Sequence, residues 1–137
     1  MTTTIQGALW ALERLQGFIP QGQAPAIAEL FHGQDGAHYR DKINALYERI
    51  SSMPETYGQD GLGDDAIAYL HYFTGSYDCY VTEKDMETEQ HQAFGMASMG
   101  YGFELGYVSL VELTAVPGME IDLYFEPQKI GNLKKES

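Results

Sequence analysis

The segment HYFTGSYDCYVTEKD, residues 71–85, has the pattern of a β-hairpin and carries a histidine, acidic side chains and the only cysteine of the chain. Aromatic and β-favouring residues flank a Gly-Ser pair, which suits a tight turn between antiparallel strands. If Phe73 pairs with Asp78, His71 faces Tyr80 and lies diagonal to Asp78 on the same face. A slip of one residue would reverse which face is buried.

The polar face of this hairpin has two interpretations. A histidine held by a carboxylate can act as a general base, which makes His71 with Asp78 or Glu83 a candidate catalytic group. No G-x-S-x-G elbow and no Cys-His signature accompanies these residues. Cross-strand polar pairs also stabilise sheets without any catalysis. We therefore expect a structural hydrogen bond from His71 to Asp78 or Tyr80, and we keep the catalytic use as the alternative.

Helical periodicity precedes the hairpin. Apolar residues recur at spacings of three and four over residues 5–15 and 35–53, which predicts amphipathic helices there. A shorter helix is expected over residues 24–33, and Thr4 suits the N-cap of the first helix. Residues 54–63 are rich in Gly and Asp and are predicted to form a connecting loop.

Further strand patterns follow the hairpin. Residues 92–100 and 104–110 form a second predicted pair, whose glycines indicate bulges or a close approach of backbones. A Ser-x-x-Glu capping box at Ser109 then opens one short helix. Residues 119–127 alternate cleanly and predict the last strand. The polar segment 129–137 is expected to fray.

These elements predict a single α+β domain, because 137 residues suffice for one hydrophobic core. We expect N-terminal helices packed on one face of a mostly antiparallel sheet of four to five strands, with one short helix between the last strands. No apolar run long enough for a membrane span occurs, and the start lacks a signal-peptide pattern, so a cytoplasmic protein is expected. The predicted parts are helical (1–53), loop (54–63), strand-rich (64–128) and polar tail (129–137).

Acidic residues dominate the second half of the chain. The formal net charge is −12, and Lys84 is the only basic residue between Pro54 and Gln128. Such a surface repels nucleic acid, whose binding needs Lys and Arg, but attracts basic protein surfaces. Solubility alone is the other explanation. The carboxylates expected to contact a basic partner are Asp78, Glu83, Asp85, Glu87, Glu89, Glu104, Glu120, Asp122 and Glu126.

No metal or cofactor site is predicted. The histidines lack the spacing of metal ligands, and the acidic segment 85–91 lacks the glycine and closing Glu of a calcium loop. We therefore expect a solvated loop there. The glycine clusters lack a Walker lysine and a dinucleotide fingerprint. Cys79 cannot form an internal disulfide and is expected to be a small core residue.

Part of the chain resembles a known family. The segments LHYFTGSYDCYVTEKD (70–85), QAFGMASMGYGFELGYVSLVEL (92–113) and EIDLYFEP (120–127) resemble a bacterial family of domains of unknown function, family 2958, common on plasmids and integrated mobile elements. The likeness spans about residues 64–130, and Cys79 stands where the family often has Trp. The matching positions are His71, Phe73, Gly75, Asp78, Tyr80, Glu83, Asp85, Phe94, Gly95, Glu104, Gly106, Tyr107, Ser109, Leu110, Leu123, Phe125 and Pro127.

The resemblance carries no assigned activity, but it implies an accessory gene of a mobile element. Small acidic proteins in that setting often counter restriction or CRISPR systems. We therefore expect a non-enzymatic inhibitor, an anti-CRISPR or antirestriction protein, that occupies the basic surface of a nuclease or CRISPR complex without binding nucleic acid itself. A small enzyme built on His71 is the second possibility. A homodimeric structural or regulatory module is the third, with Tyr57, Tyr69, Tyr101 and Phe103 as candidate interface residues.

Overall fold

Three N-terminal helices precede a mostly antiparallel sheet, as predicted, in the computed structural model, which describes residues 3–136. None of the helices formed by these residues has the length and hydropathy that crossing a membrane requires. The elements are α1 (Ile5–Arg14), α2 (Ala24–Leu30), α3 (Gly36–Ser52), a 3₁₀ turn (Gly63–Asp65), β1 (Ile67–Ala68), β2 (Leu70–Thr74), β3 (Tyr77–Glu83), β4 (Ala93–Ser98), β5 (Glu104–Val108), α4 (Leu110–Leu113), β6 (Glu120–Ile121), β7 (Gln128–Lys129) and α5 (Ile130–Glu136).

The main sheet has the strand order β5-β4-β3-β2-β6, and all of its pairs are antiparallel. The hairpin of β2 and β3 has the predicted register, with Phe73 opposite Asp78 and His71 opposite Tyr80. Gly75 opens the two-residue turn with a φ of 53°, a left-handed conformation that glycine adopts without a steric penalty. The strands β1 and β7 form a separate two-stranded sheet.

One face of the sheet packs on the helices and forms the main core. Leu70, Tyr72, Cys79 and Val81 alternate onto this face and are fully buried, as predicted. The Tyr72 hydroxyl donates a 2.6 Å hydrogen bond to the carbonyl of Phe18, so the buried phenol has a partner. The opposite face therefore carries His71 and its polar neighbours.

The C-terminal segment covers part of that opposite face. Residues 129–137 were expected to fray, but α5 forms and buries Ile130 and Leu133 in a second cluster with Met96 and Phe125. This prediction was wrong because the two apolar residues lie three apart, which suffices for one buried helical side within a polar segment. Residue 137 lies outside the described residues, as do residues 1 and 2 of the predicted helical part.

The last predicted strand is much shorter than its alternation suggested. Only Glu120 and Ile121 pair with β2, and the chain turns directly afterwards. Asp122 makes this turn, because its side chain accepts a 2.9 Å hydrogen bond from the backbone N–H of Tyr124. Ile121 consequently enters the main core while Phe125 enters the second cluster, although the sequence placed them on one face.

Candidate functional site

His71 lies at the centre of the polar face of the sheet. Its ring stacks on Tyr80, with centroids 4.4 Å apart and planes within 8°. Nε2 lies 2.8 Å from Oδ1 of Asp78, so the structural hydrogen bond predicted from the hairpin register is confirmed. Nδ1 lies 3.2 Å from Oδ2 of Asp122, a second partner that the sequence did not reveal.

The arrangement around His71 is unlike that of a general base. Both ring nitrogens are engaged by carboxylates, so neither faces a position where a substrate could bind. The His71 side chain is 14% exposed and is not part of the cavity that Glu83 lines. Glu83, the alternative catalytic partner, has no hydrogen bond or ion pair with His71 among the described residues.

Three of the predicted partner-binding carboxylates surround His71 and Phe73. Phe73 pairs with Asp78 on one side and with Glu120 on the other, so these side chains share a face. The backbone N–H of Asp122 donates to the carbonyl of His71 at 2.8 Å, so Asp122 lies beside His71. We call Asp78, Glu120 and Asp122 the acidic face.

No Lys or Arg side chain that the structure describes forms an ion pair with the acidic face. Among the side chains that the structure describes, the Lys–carboxylate ion pairs are Lys129–Asp65 and Lys134–Asp64, at 3.4 and 2.8 Å. Lys84 instead donates to the carbonyl of Ile50 at 2.7 Å. The three carboxylates of the acidic face outnumber His71, the one basic side chain that contacts them among the described residues, so the face has a negative potential.

The other predicted partner-binding carboxylates do not join this face. Glu104 lies on β5, at the opposite edge of the sheet, and pairs with Ala97 on the helix-facing side. Four strand spacings separate β5 from β6, a distance of about 19 Å. Glu87 and Glu89 are exposed in the loop between β3 and β4, and Glu126 is exposed after β6. The nine carboxylates therefore do not form one surface.

Asp85 organises the loop between β3 and β4 and is not the solvated side chain that the sequence suggested. It is 8% exposed, and its two oxygens accept hydrogen bonds from the N–H groups of Glu87 and Gln92 at 3.2 and 3.0 Å. Burial alone would raise the pKa of Asp85, but backbone hydrogen bonds from Gln92, Glu87, Met86 and His91 outweigh it and lower the pKa. This carboxylate is therefore occupied within the chain.

Glu83 lies in a cavity because of a β-bulge. Val81 pairs with Gly95 and Glu83 with Phe94, so Thr82 is an extra residue on β3. The bulge turns both Thr82 and Glu83 toward a cavity of about 410 Å³. Glu83 is only 5% exposed there, so direct contact with a flat protein surface, as the sequence suggested, does not fit its position.

Cys79 lies in the main core on the helix-facing side of β3. Burial raises the pKa of its thiol to about 12, although a hydrogen bond with Tyr77 lowers it slightly. A thiol this far from ionisation is a poor nucleophile. This agrees with the predicted role as a small core residue.

Within the described part of the chain, no three His, Cys, Asp or Glu side chains are arranged to hold a metal ion. No protein-family model matches this chain, and no curated protein or solved structure is significantly similar to it. Inferences about function therefore depend on the geometry and charge of the site.

Proposed function

We propose that this chain is a non-enzymatic binding protein that docks through the acidic face onto a basic protein surface. The observation that carries the proposal is the position of Asp78, Glu120 and Asp122, which lie together beside an edge strand without a Lys or Arg ion pair among the described side chains. His71 fixes two of these carboxylates through hydrogen bonds, so they are oriented before a partner arrives.

The half-buried ring of Phe73 lies between Asp78 and Glu120 and adds an apolar contact to the acidic face. An Arg or Lys side chain can lay its aliphatic stem on such a ring while its charged end reaches the flanking carboxylates. This combination favours a protein surface rich in Arg and Lys over a free metal ion or a small anion.

The partner in this proposal is a nucleic-acid-binding protein of a host defence system, a nuclease or a CRISPR complex. The net charge of −12 supports this choice, and the resemblance of residues 64–130 to a mobile-element family suggested it. The protein would act in the cytoplasm as an anti-defence factor, an anti-CRISPR or antirestriction protein, and would cover the partner's basic surface without touching nucleic acid itself.

The proposal is tested by pull-down of purified nucleases and CRISPR complexes with the wild-type chain and two charge reversals. Glu120→Lys alters the acidic face, and Glu104→Lys alters an exposed residue on the opposite face and edge as the matched control. We expect at least tenfold weaker capture for Glu120→Lys, unchanged capture for Glu104→Lys, and weaker binding at about 300 mM than at about 50 mM salt. Salt-independent capture, or equal losses in both variants, would argue against docking through this face.

A homodimer is the second candidate, favoured by exposed apolar residues on and before the edge strand β5. Met99, Tyr101, Leu105 and Tyr107 are 62%, 97%, 49% and 57% exposed. An exposed apolar edge strand can pair with the same strand of a second copy. Light scattering decides between the two assemblies, and a monomer at about 100 µM would exclude a stable dimer.

A further inference from the structure

A cavity separate from the acidic face lies between the loop 54–63 and the end of the main sheet. Its volume is about 410 Å³, which lies within the range of small-molecule sites. Its walls include Tyr57 and Asp60 from the loop, Thr82 and Glu83 from the bulge of β3, and Phe94 and Tyr107 from β4 and β5. The acidic face does not contribute to it.

The side chain of Glu83 is 5% exposed and lines the cavity. Its partner among the described residues is the Thr82 hydroxyl. This hydroxyl also lies 3.1 Å from the carbonyl of Phe94, and its single proton can be donated to only one of these acceptors at a time. A carboxylate has room for several hydrogen bonds, and Glu83 can accept further ones from a ligand in the cavity that it lines.

The rim of the cavity consists of aromatic rings held in place. The hydroxyls of Tyr57 and Tyr107 are hydrogen-bonded at 3.0 Å across the mouth. The rings of Tyr107 and Phe94 meet edge to face with centroids 5.5 Å apart. Tyr57 has a φ of 72°, a left-handed conformation that is costly for a bulky residue.

The ionisable groups lining the cavity are acids and phenols. Asp60 and Glu83 supply carboxylates, Tyr57 and Tyr107 supply hydroxyls, and no Lys, Arg or His among the described residues is part of the lining. An anionic ligand would face two carboxylates and no cationic side chain among the described residues. A cation would meet a buried carboxylate at the base and the faces of electron-rich rings at the rim.

We propose that this cavity binds a small organic cation, an ammonium, amidinium or guanidinium group attached to a flat or apolar body. The N–H groups of the cation donate to Glu83, and the body of the ligand packs among Tyr57, Phe94 and Tyr107. This site does not depend on the proposed docking through the acidic face.

The test compares benzamidine, a planar aromatic cation, with benzamide, its neutral isostere, and with benzoate, an anion, by NMR titration and calorimetry of the full chain. We expect benzamidine to bind at least tenfold more tightly than benzamide, with shifts at Glu83, Phe94 and Tyr107, and benzoate not to bind. Equal affinity for benzamidine and benzamide, or no shift at these residues up to about 10 mM, would overturn the proposal.

Variants of the cavity residues show whether benzamidine binds in this cavity. Glu83→Gln keeps the shape of the side chain and is expected to weaken benzamidine at least tenfold while leaving benzamide unchanged. Tyr107→Ala, at an exposed position that leaves the core intact, is expected to weaken benzamidine at least threefold even if Glu83→Gln does not fold. Glu120→Lys is expected to leave benzamidine affinity unchanged, so failure of the cavity and failure of the acidic face are distinguishable. Wild-type affinity in Glu83→Gln or in Tyr107→Ala would contradict the assignment.

Discussion

His71 joins three strands through its imidazole, with Nε2 2.8 Å from Asp78 on β3 and Nδ1 3.2 Å from Asp122 at the end of β6. β6 pairs with β2 over only two residues, so backbone hydrogen bonds alone hold it weakly. The side-chain contacts of His71 therefore stabilise the edge of the sheet and the acidic face together.

A double-mutant cycle measures how much the hydrogen bond between His71 and Asp78 contributes to stability. Truncating His71 and Asp78 to alanine, singly and together, is expected to give a coupling free energy of about 1 kcal/mol in urea unfolding, a modest value because Asp78 is 41% exposed. The same cycle with Glu104, on the other face of the sheet, is expected to give a coupling below about 0.3 kcal/mol. If His71 couples to Asp78 and to Glu104 with equal free energies, the hydrogen bond between His71 and Asp78 does not stabilise the fold specifically.

Gly95 on β4 allows the close approach of β3. A Cβ atom at this position would lie 2.1 Å from the carbonyl oxygen of Tyr80, so Gly95→Ala forces the two strands apart. We expect a loss of about 3 kcal/mol in the free energy of unfolding, at the upper end of overpacking effects. Gly106, directly opposite Gly95 on β5, has open space where a Cβ atom would lie and is the matched control, with an expected change below about 1 kcal/mol. Similar urea midpoints for the two variants would contradict this account.

The C-terminal helix α5 is expected to matter for stability, although the sequence suggested a frayed tail. Ile130 is 2% exposed and packs with Ala66, Ala68 and Phe125 in the second cluster. Ile130→Ala is therefore expected to cost about 2–4 kcal/mol in urea unfolding, as buried truncations do. Lys135→Ala, on the exposed side, serves as the control, with an expected change within about 0.5 kcal/mol. If both variants unfold like the wild type, α5 is not packed as described.

Local patterns explain which features could be predicted from the sequence. The Gly-Ser turn sets the register of β2 and β3, and this register alone brings His71 to Asp78. The helix-facing residues follow from strand alternation, and the caps at Thr4 and Ser109 follow from short-range hydrogen bonds. Each of these features depends on residues that are close in sequence.

The missed features depend on distant contacts or on a break in periodicity. Asp122 reaches His71, 51 residues earlier along the chain, only because β6 pairs with β2. Strict alternation along β3 would place Glu83 on the helix-facing side of the sheet, but the bulge at Thr82 places it on the other side. A carboxylate that accepts loop N–H groups, as Asp85 does, looks the same in sequence as one that contacts water.

The free energy of unfolding is expected to fall at high pH because the thiol of Cys79 is buried. Burial raises the pKa of Cys79 from about 9 to about 12, and burial together with Cys79 raises the pKa of Tyr77 from about 10 to about 12. The unfolded chain therefore releases these protons at lower pH than the folded chain does. Their contribution to stability is fully present below pH 9 and is lost as the pH rises toward 12.

Urea unfolding between pH 8 and pH 11 measures this loss. The free energy of unfolding is expected to fall by about 1 kcal/mol per pH unit between pH 9 and pH 10, where Cys79 ionises in the unfolded chain. The fall is expected to be steeper above pH 10, where Tyr77 and Tyr72, whose pKa values burial also raises, ionise in the unfolded chain as well. Cys79→Ala has a lower starting stability because of the cavity it leaves, but it should show a smaller slope since only Tyr77 of the pair remains. Thiol reagents at pH 8 should label Cys79 slowly in the folded chain and rapidly in urea. Fast labelling without urea, or an unchanged slope in Cys79→Ala, would mean that the thiol is accessible and that the core around Tyr72 and Val81 is looser than described.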